Sequence, residues 1–196
     1  MRTDYIKPSV YGKIYQLMQY ENALALRTSL ETGLRIGDVL KIKRADLNGR
    51  TIKFVAQKTG KPGKKVISAD LAKRLKQISG KTWVFVGRFG DKPRTRQTVW
   101  KDVKKAAKTL KLTENVACHS ARKTYAVEEY HEKGLPAVQK DLQHDRADTT
   151  MIYCFADMLT KQGHYDFDGD MWDFADYIIE GVFSKIKTYF DKNQIK

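Results

Sequence analysis

His119-Ser120-Ala121-Arg122-Lys123-Thr124-Tyr125-Ala126-Val127-Glu128-Glu129-Tyr130-His131-Glu132-Lys133-Gly134 is the stretch on which the fold turns. It reads as one amphipathic helix stopped by Gly134, and the spacing of three puts His119 and Arg122 on one face. Residues 136–143 form a second helix and residues 149–158 a third. Toward the N-terminus, Pro8 starts a helix to about Gln19, and Asn22 begins another that runs to Thr32 and ends at Gly33. Residues 36–42 form a short helix. The β-branched runs 51–56 and 65–68 are strands around the turn Lys58-Thr59-Gly60-Lys61-Pro62-Gly63-Lys64, a hairpin with a basic tip. Residues 69–79 are helical, 82–86 make a third short strand, and 95–110 make a longer basic helix. A last apolar helix spans 172–190. The class is α+β, mostly helical with a small antiparallel three-stranded sheet.

The net charge is +14, carried by a contiguous middle third. Residues 41–111 hold 22 Lys and Arg against 4 Asp and Glu, whereas residues 112–196 carry a small acidic excess. Such a segment fits a polyanion, because clustered cations release counterions condensed on a phosphate backbone. Lys61, Lys64, Lys65, Arg94, Arg96, Lys101, Lys104 and Lys105 are the expected DNA contacts. No apolar run is long enough to span a membrane, and the start has no secretory core. Cys118 and Cys154 are too few for a disulfide framework or a zinc site. A cytoplasmic protein is expected.

Cleaving a phosphodiester requires stabilising a pentacoordinate phosphorus. The one acidic run, Asp166-Phe167-Asp168-Gly169-Asp170, fails as a calcium loop because Met171 and Tyr177 occupy required ligand-loop positions. No metal or other cofactor is expected. Guanidinium forks must then meet the phosphate charge, and Arg35 and Arg122 are the candidates. Tyr153 supplies a nucleophile, Lys58 on its flexible hairpin a proton donor for the leaving oxygen, and His119 and His144 proton exchange near neutral pH.

These residues, in this order, resemble the tyrosine recombinase family. The shared pattern is Arg35 in Thr32-Gly33-Leu34-Arg35, Lys58 in a β-hairpin, His119-x-x-Arg122, His144 in Leu142-Gln143-His144, and Tyr153 nine residues later. The resemblance covers about residues 8–158. It implies a catalytic domain over 1–158 that attacks a DNA strand to give a 3′-phosphotyrosine and a free 5′-hydroxyl, then reverses the step without ATP. It also implies a double-stranded DNA partner and a tetramer on DNA formed from a monomer or weak oligomer. The tail, 159–196, is either exchanged between protomers or folded back on its own domain.

Gln143 stands where the family usually has glycine, and the N-terminal core-binding domain usual in the family is expected to be absent. Two other readings stay open: a non-catalytic DNA-binding accessory protein of the same fold, and a type IB topoisomerase-like relaxing enzyme. A covalent adduct separates the first from an active enzyme, and His119, where topoisomerases of that kind usually carry lysine or arginine, favours a recombinase.

Overall fold

Helix α2 (Tyr20–Thr32) is buried on nearly every side, with Ala25, Leu26, Thr28, Ser29 and Thr32 wholly inaccessible. A helix in that position must satisfy its own hydroxyls. Thr28 Oγ1 donates to the Leu24 carbonyl at 2.8 Å, Ser29 Oγ to that of Leu34 at 2.7 Å, and Thr32 Oγ1 to that of Thr28 at 2.5 Å. Around α2 pack α1 (Pro8–Gln16), α3 (Ile36–Leu40), α4 (Ala69–Ile78), α5 (Arg96–Thr109) and α6 (Cys118–Asp141). The side chains of Ser68 and Thr95 cap α4 and α5 by accepting from the amides of Leu71 and Thr98.

This computed structural model describes residues 3–90, 92–144, 150, 153 and 154. All belong to the first of two units, Met1–Lys161; the second is Gln162–Lys196. The expected helix over 172–190, the acidic run 166–170, most of 149–158 and the boundary at 158 lie outside the described residues. Among those described, no helix is long and apolar enough to cross a membrane.

The sheet has three antiparallel strands in the order β1 (Leu47–Asn48), β2 (Thr51–Val55), β3 (Pro62–Val66). Its third member is therefore not residues 82–86, as the sequence predicts. That segment makes only a single bridge from Trp83 to Lys43 and another from Val86 to Pro93. Its apolar character serves the core instead, where Val84 and Phe85 are fully buried. The strand it was expected to supply is the two-residue β1, too short to show any alternation. β3 also begins earlier than the hairpin reading places it, pairing Pro62 with Val55. Proline is accepted there because β3 lies at the sheet edge.

Gly134 breaks α6 as expected: it sits at φ 75°, ψ 172° inside the helix, two residues before Pro136. The main core lies under α2, and α5 adds Val99, Val103 and Ala106, all at 0% exposure. A smaller cluster of Ala126, Val138, Leu142 and Cys154, with Tyr125, Leu135 and Tyr153 against it, fills the angle beyond the break.

Candidate active site

The turn from α2 into α3 aims Arg35. Gly33 ends α2 in the left-handed region at φ 68°, and a Cβ built there would lie 2.4 Å from Tyr125 Cδ1. Only glycine meets both conditions. Leu34 follows, its amide bonded to Thr32 Oγ1, and Arg35 caps α3 by accepting from the amides of Asp38 and Val39. The half-buried Arg35 then lines a cleft of about 700 Å³ together with Lys58, Arg96, Trp100 and His119.

Lys58 stands exposed at the hairpin tip. The residue before it is fixed from α3: buried Asp38 accepts from both the backbone and the side-chain amide of Gln57 at 3.0 Å. Asp38 was not among the residues singled out from sequence. A carboxylate three positions after an arginine carries no local signal of a bond to a distant hairpin turn. Trp100, 46% exposed beside Arg96, was also passed over, although an exposed aromatic on a basic helix is a readable mark.

Arg122, at 2% exposure, is the most constrained member. It donates from Nη1 to the Gly33 carbonyl at 2.5 Å, and from Nη2 to the Leu142 carbonyl and to His144 Nε2, both at 2.9 Å. Its Nε is buried and has no hydrogen-bond partner among the described residues. A guanidinium only donates, so His144 Nε2 accepts and its ring proton sits on Nδ1, 3.1 Å from Thr150 Oγ1. Tyr153 completes the group: its hydroxyl bonds His119 Nε2, its ring stands 5.4 Å from that of His119 and 5.1 Å from that of His144, and Arg122 Cζ lies 6.0 Å from its centroid.

The electrostatics follow from burying several cations together. Burial, then Arg122, Lys123 and Arg35, pushes His119 down to about 4. Burial with Arg122, Arg35, His119 and Lys58 does the same to His144. Both imidazoles are therefore neutral at pH 7 rather than poised between forms. Arg122 itself falls to about 10 through burial and the Arg35 charge. Tyr153 moves upward: burial raises its phenol more than Arg122 and Arg35 lower it. Desolvation thus outweighs the neighbouring positive charge in the free protein.

The structure thus brings His119, Arg122, His144 and Tyr153 into mutual contact, with Arg35 and Lys58 on the adjoining cleft. The sequence model of the Phage integrase family matches residues 4–159. The chain belongs to the phage integrase family. Its fold is that of a tyrosine recombinase catalytic domain. A lambda integrase dimer bound to a COC′ core site matches with a TM-score of 0.69 at 21% identity, over 87% of this chain and 52% of that one. XerH site-specific recombinase bound to palindromic difH substrate, a post-cleavage complex, matches with a TM-score of 0.64 at 20% identity, over 82% of this chain and 52% of that one. XerA recombinase matches with a TM-score of 0.65 at 18% identity, over 82% and 65%. This chain spans about half the length of the first two. Among curated proteins, none matches.

The basic segment is less uniform than its charge count implies. Lys61, Lys64, Arg96, Lys101 and Lys105 are exposed. Lys65, expected among the DNA contacts, is instead buried at 9% exposure and paired with Asp141 at 2.5 Å, because strand alternation turns it inward where Lys64 faces out. Arg94 differs too, donating to Asn22 Oδ1 at 2.9 Å and pairing with Glu21 at 3.5 Å. Lys104 is half-buried and donates to Asn115 Oδ1 at 2.5 Å.

Proposed function

We propose that this chain is the catalytic part of a site-specific DNA recombinase that cleaves and rejoins strands through a 3′-phosphotyrosine at Tyr153. The carrying observation is the hydrogen bond from the Tyr153 hydroxyl to a neutral His119, beside a buried guanidinium whose Nε has no hydrogen-bond partner among the described residues. Tyr153 Oη attacks phosphorus as its proton passes to His119 Nε2. The bond from phosphorus to the 5′ oxygen breaks, and that oxygen takes a proton from the Lys58 ammonium. Arg35 and Arg122 hold the non-bridging oxygens, with Arg122 Nε as a donor in reserve for the added charge. His144 fixes the Arg122 fork by accepting at Nε2.

A 5′-hydroxyl from a second strand reverses the sequence of transfers, and the phosphotyrosine conserves the bond energy, so neither ATP nor a metal takes part. The partner is double-stranded DNA, the assembly on it a tetramer, and the setting the cytoplasm of a prokaryotic or phage-infected cell. The test is a pool of duplexes nicked near a randomised core, from which a cleaved end diffuses away and traps the intermediate. A covalent adduct abolished by Tyr153→Phe is expected. DNA binding at low salt with no adduct would overturn the assignment in favour of an accessory role.

A further inference from the structure

Lys65 has a lysine's charge and almost none of its access to water. Register places it opposite Ile52 on β2, and its Nζ lies 2.5 Å from the Asp141 carboxylate, 3.4 Å from the Tyr125 hydroxyl and 5.1 Å from that ring's centroid. The Tyr125 hydroxyl donates to the same carboxylate, while its ring packs on Gly33. Asp141 is the last residue of α6, and the turn 142–144 follows at once. That turn supplies the Leu142 carbonyl and the His144 imidazole that Arg122 grips. A second tie joins the same two segments, from the Gln143 side-chain amide to the Pro62 carbonyl at 3.4 Å.

We propose that Lys65, Asp141 and Tyr125 form a positioning latch that fastens the turn 142–144 to strand β3, so that His144 and the Lys58 hairpin are held in one register. Four facts give it this role rather than plain stabilisation. The ion pair bridges the two segments that carry His144 and Lys58. Tyr125 connects it to Gly33, whose carbonyl Arg122 also grips. Gln143 occupies the left-handed region at φ 52°, so its turn adopts a conformation the backbone does not favour unaided. Lys65 does not line the cleft and is almost wholly withdrawn from solvent, which removes the DNA-contact reading for this residue.

The latch rests on the recombinase reading for its purpose, but not for its test. Of the chain's four histidines, His144 is assigned by loss of its NMR signal in His144→Gln. The charged and titratable groups that face it are Arg122, Arg35, His119, Lys58 and Tyr153. Lys65→Met/Asp141→Asn removes both charges together, so no lone buried ion is left to unfold the chain, and a melting curve checks this. In the full chain, His144 is expected to titrate near 4, and in the double variant to move toward the ordinary 6.5 as Arg122 loses its hold. Adduct formation on the randomised nicked duplexes should fall on the order of a hundredfold, as misplacement of about 1 Å can cause. Lys65→Arg, which keeps the pair, should restore both readings. An unmoved His144 titration would overturn the latch, as would an unmoved titration with weaker, less salt-dependent DNA binding, which returns Lys65 to the phosphate contacts. If the wild-type chain forms no adduct, the recombinase reading fails alone, and the His144 titration still decides the latch.

Discussion

Tyr153 and His119 stand 34 positions apart in the chain, yet phenol and imidazole share one hydrogen bond with their ring planes at 81°. Because burial keeps the phenol protonated and the imidazole neutral, the pair is a loaded donor and a vacant acceptor. In the proposed reaction, the proton moves only as the bond to phosphorus forms.

Adduct formation should therefore persist below the ordinary imidazole range and decline only as pH falls toward about 4, where His119 becomes charged in the free protein. His119→Gln should lower the single-turnover rate by roughly 10²- to 10⁴-fold, the usual worth of a positioned base, and erase that acid limb. An acid limb unchanged in the variant would assign the base to another group.

The same shifts bear on stability. Both histidines have folded-state values depressed from 6.5 to about 4, so the unfolded chain binds more protons between those limits. Their contribution is complete above pH 6.5 and is lost as pH falls toward 4. Urea midpoints at pH 7.0 and 5.5 should show the loss, and His119→Gln/His144→Gln should reduce it. An equal pH dependence in the double variant would place its origin in other groups.

The two arginines should separate function from folding. Arg35 lines the cleft and anchors α3 through its backbone, so Arg35→Ala should melt like wild type while adduct formation drops about a hundred- to a thousandfold. Arg122 also satisfies the carbonyls of Gly33 and Leu142. Arg122→Lys cannot reach both, and each buried carbonyl left bare costs about 1–3 kcal/mol. A melting temperature lowered as much by the Arg35 variant as by the Arg122 variant would contradict this division.

What could be read from sequence was what repeats or stands alone. The apolar periods of α2 and α6 gave their extents to within a few residues, and Gly134 marked the break. Residue chemistry and the family resemblance singled out Arg35, Lys58, His119, Arg122, His144 and Tyr153, and the fold gathers four of them beside a cleft that the other two line. What escaped depends on contacts between distant segments. Leu47 and Asn48 become a strand only because Ile52 and Thr51 lie opposite them, and Lys65 turns inward only because Asp141 and Tyr125 wait there. Charge counting treats Lys64 and Lys65 alike, whereas the pleat separates them.

Gly33 joins three of these features, ending α2, packing under Tyr125 and presenting its carbonyl to Arg122. Gly33→Ala adds a methyl group to a left-handed residue, worth about 1–2 kcal/mol, and drives it into the Tyr125 ring, worth about 1–3 kcal/mol more. A urea midpoint lowered accordingly is expected, with Tyr125→Ala in the same chain recovering the steric part. A neutral substitution would mean that the α2 to α3 turn relaxes without cost and that Arg35 is not held by it.

Salt dependence tests the exposed cations apart from the committed ones. Lys101 lies on the face of α5 opposite the buried Val99 and Val103, and Arg96 is exposed as the first residue of that helix, so each can neutralise a phosphate. Lys101→Ala and Arg96→Ala should each weaken binding to duplexes of any sequence and flatten the plot of log K against log salt by about 0.9. Arg94→Ala should leave that slope intact and lower stability instead, since its guanidinium is spent on Asn22 and Glu21. The opposite pattern, with Arg94 altering the slope and Lys101 and Arg96 leaving it unchanged, would move the DNA track off α5.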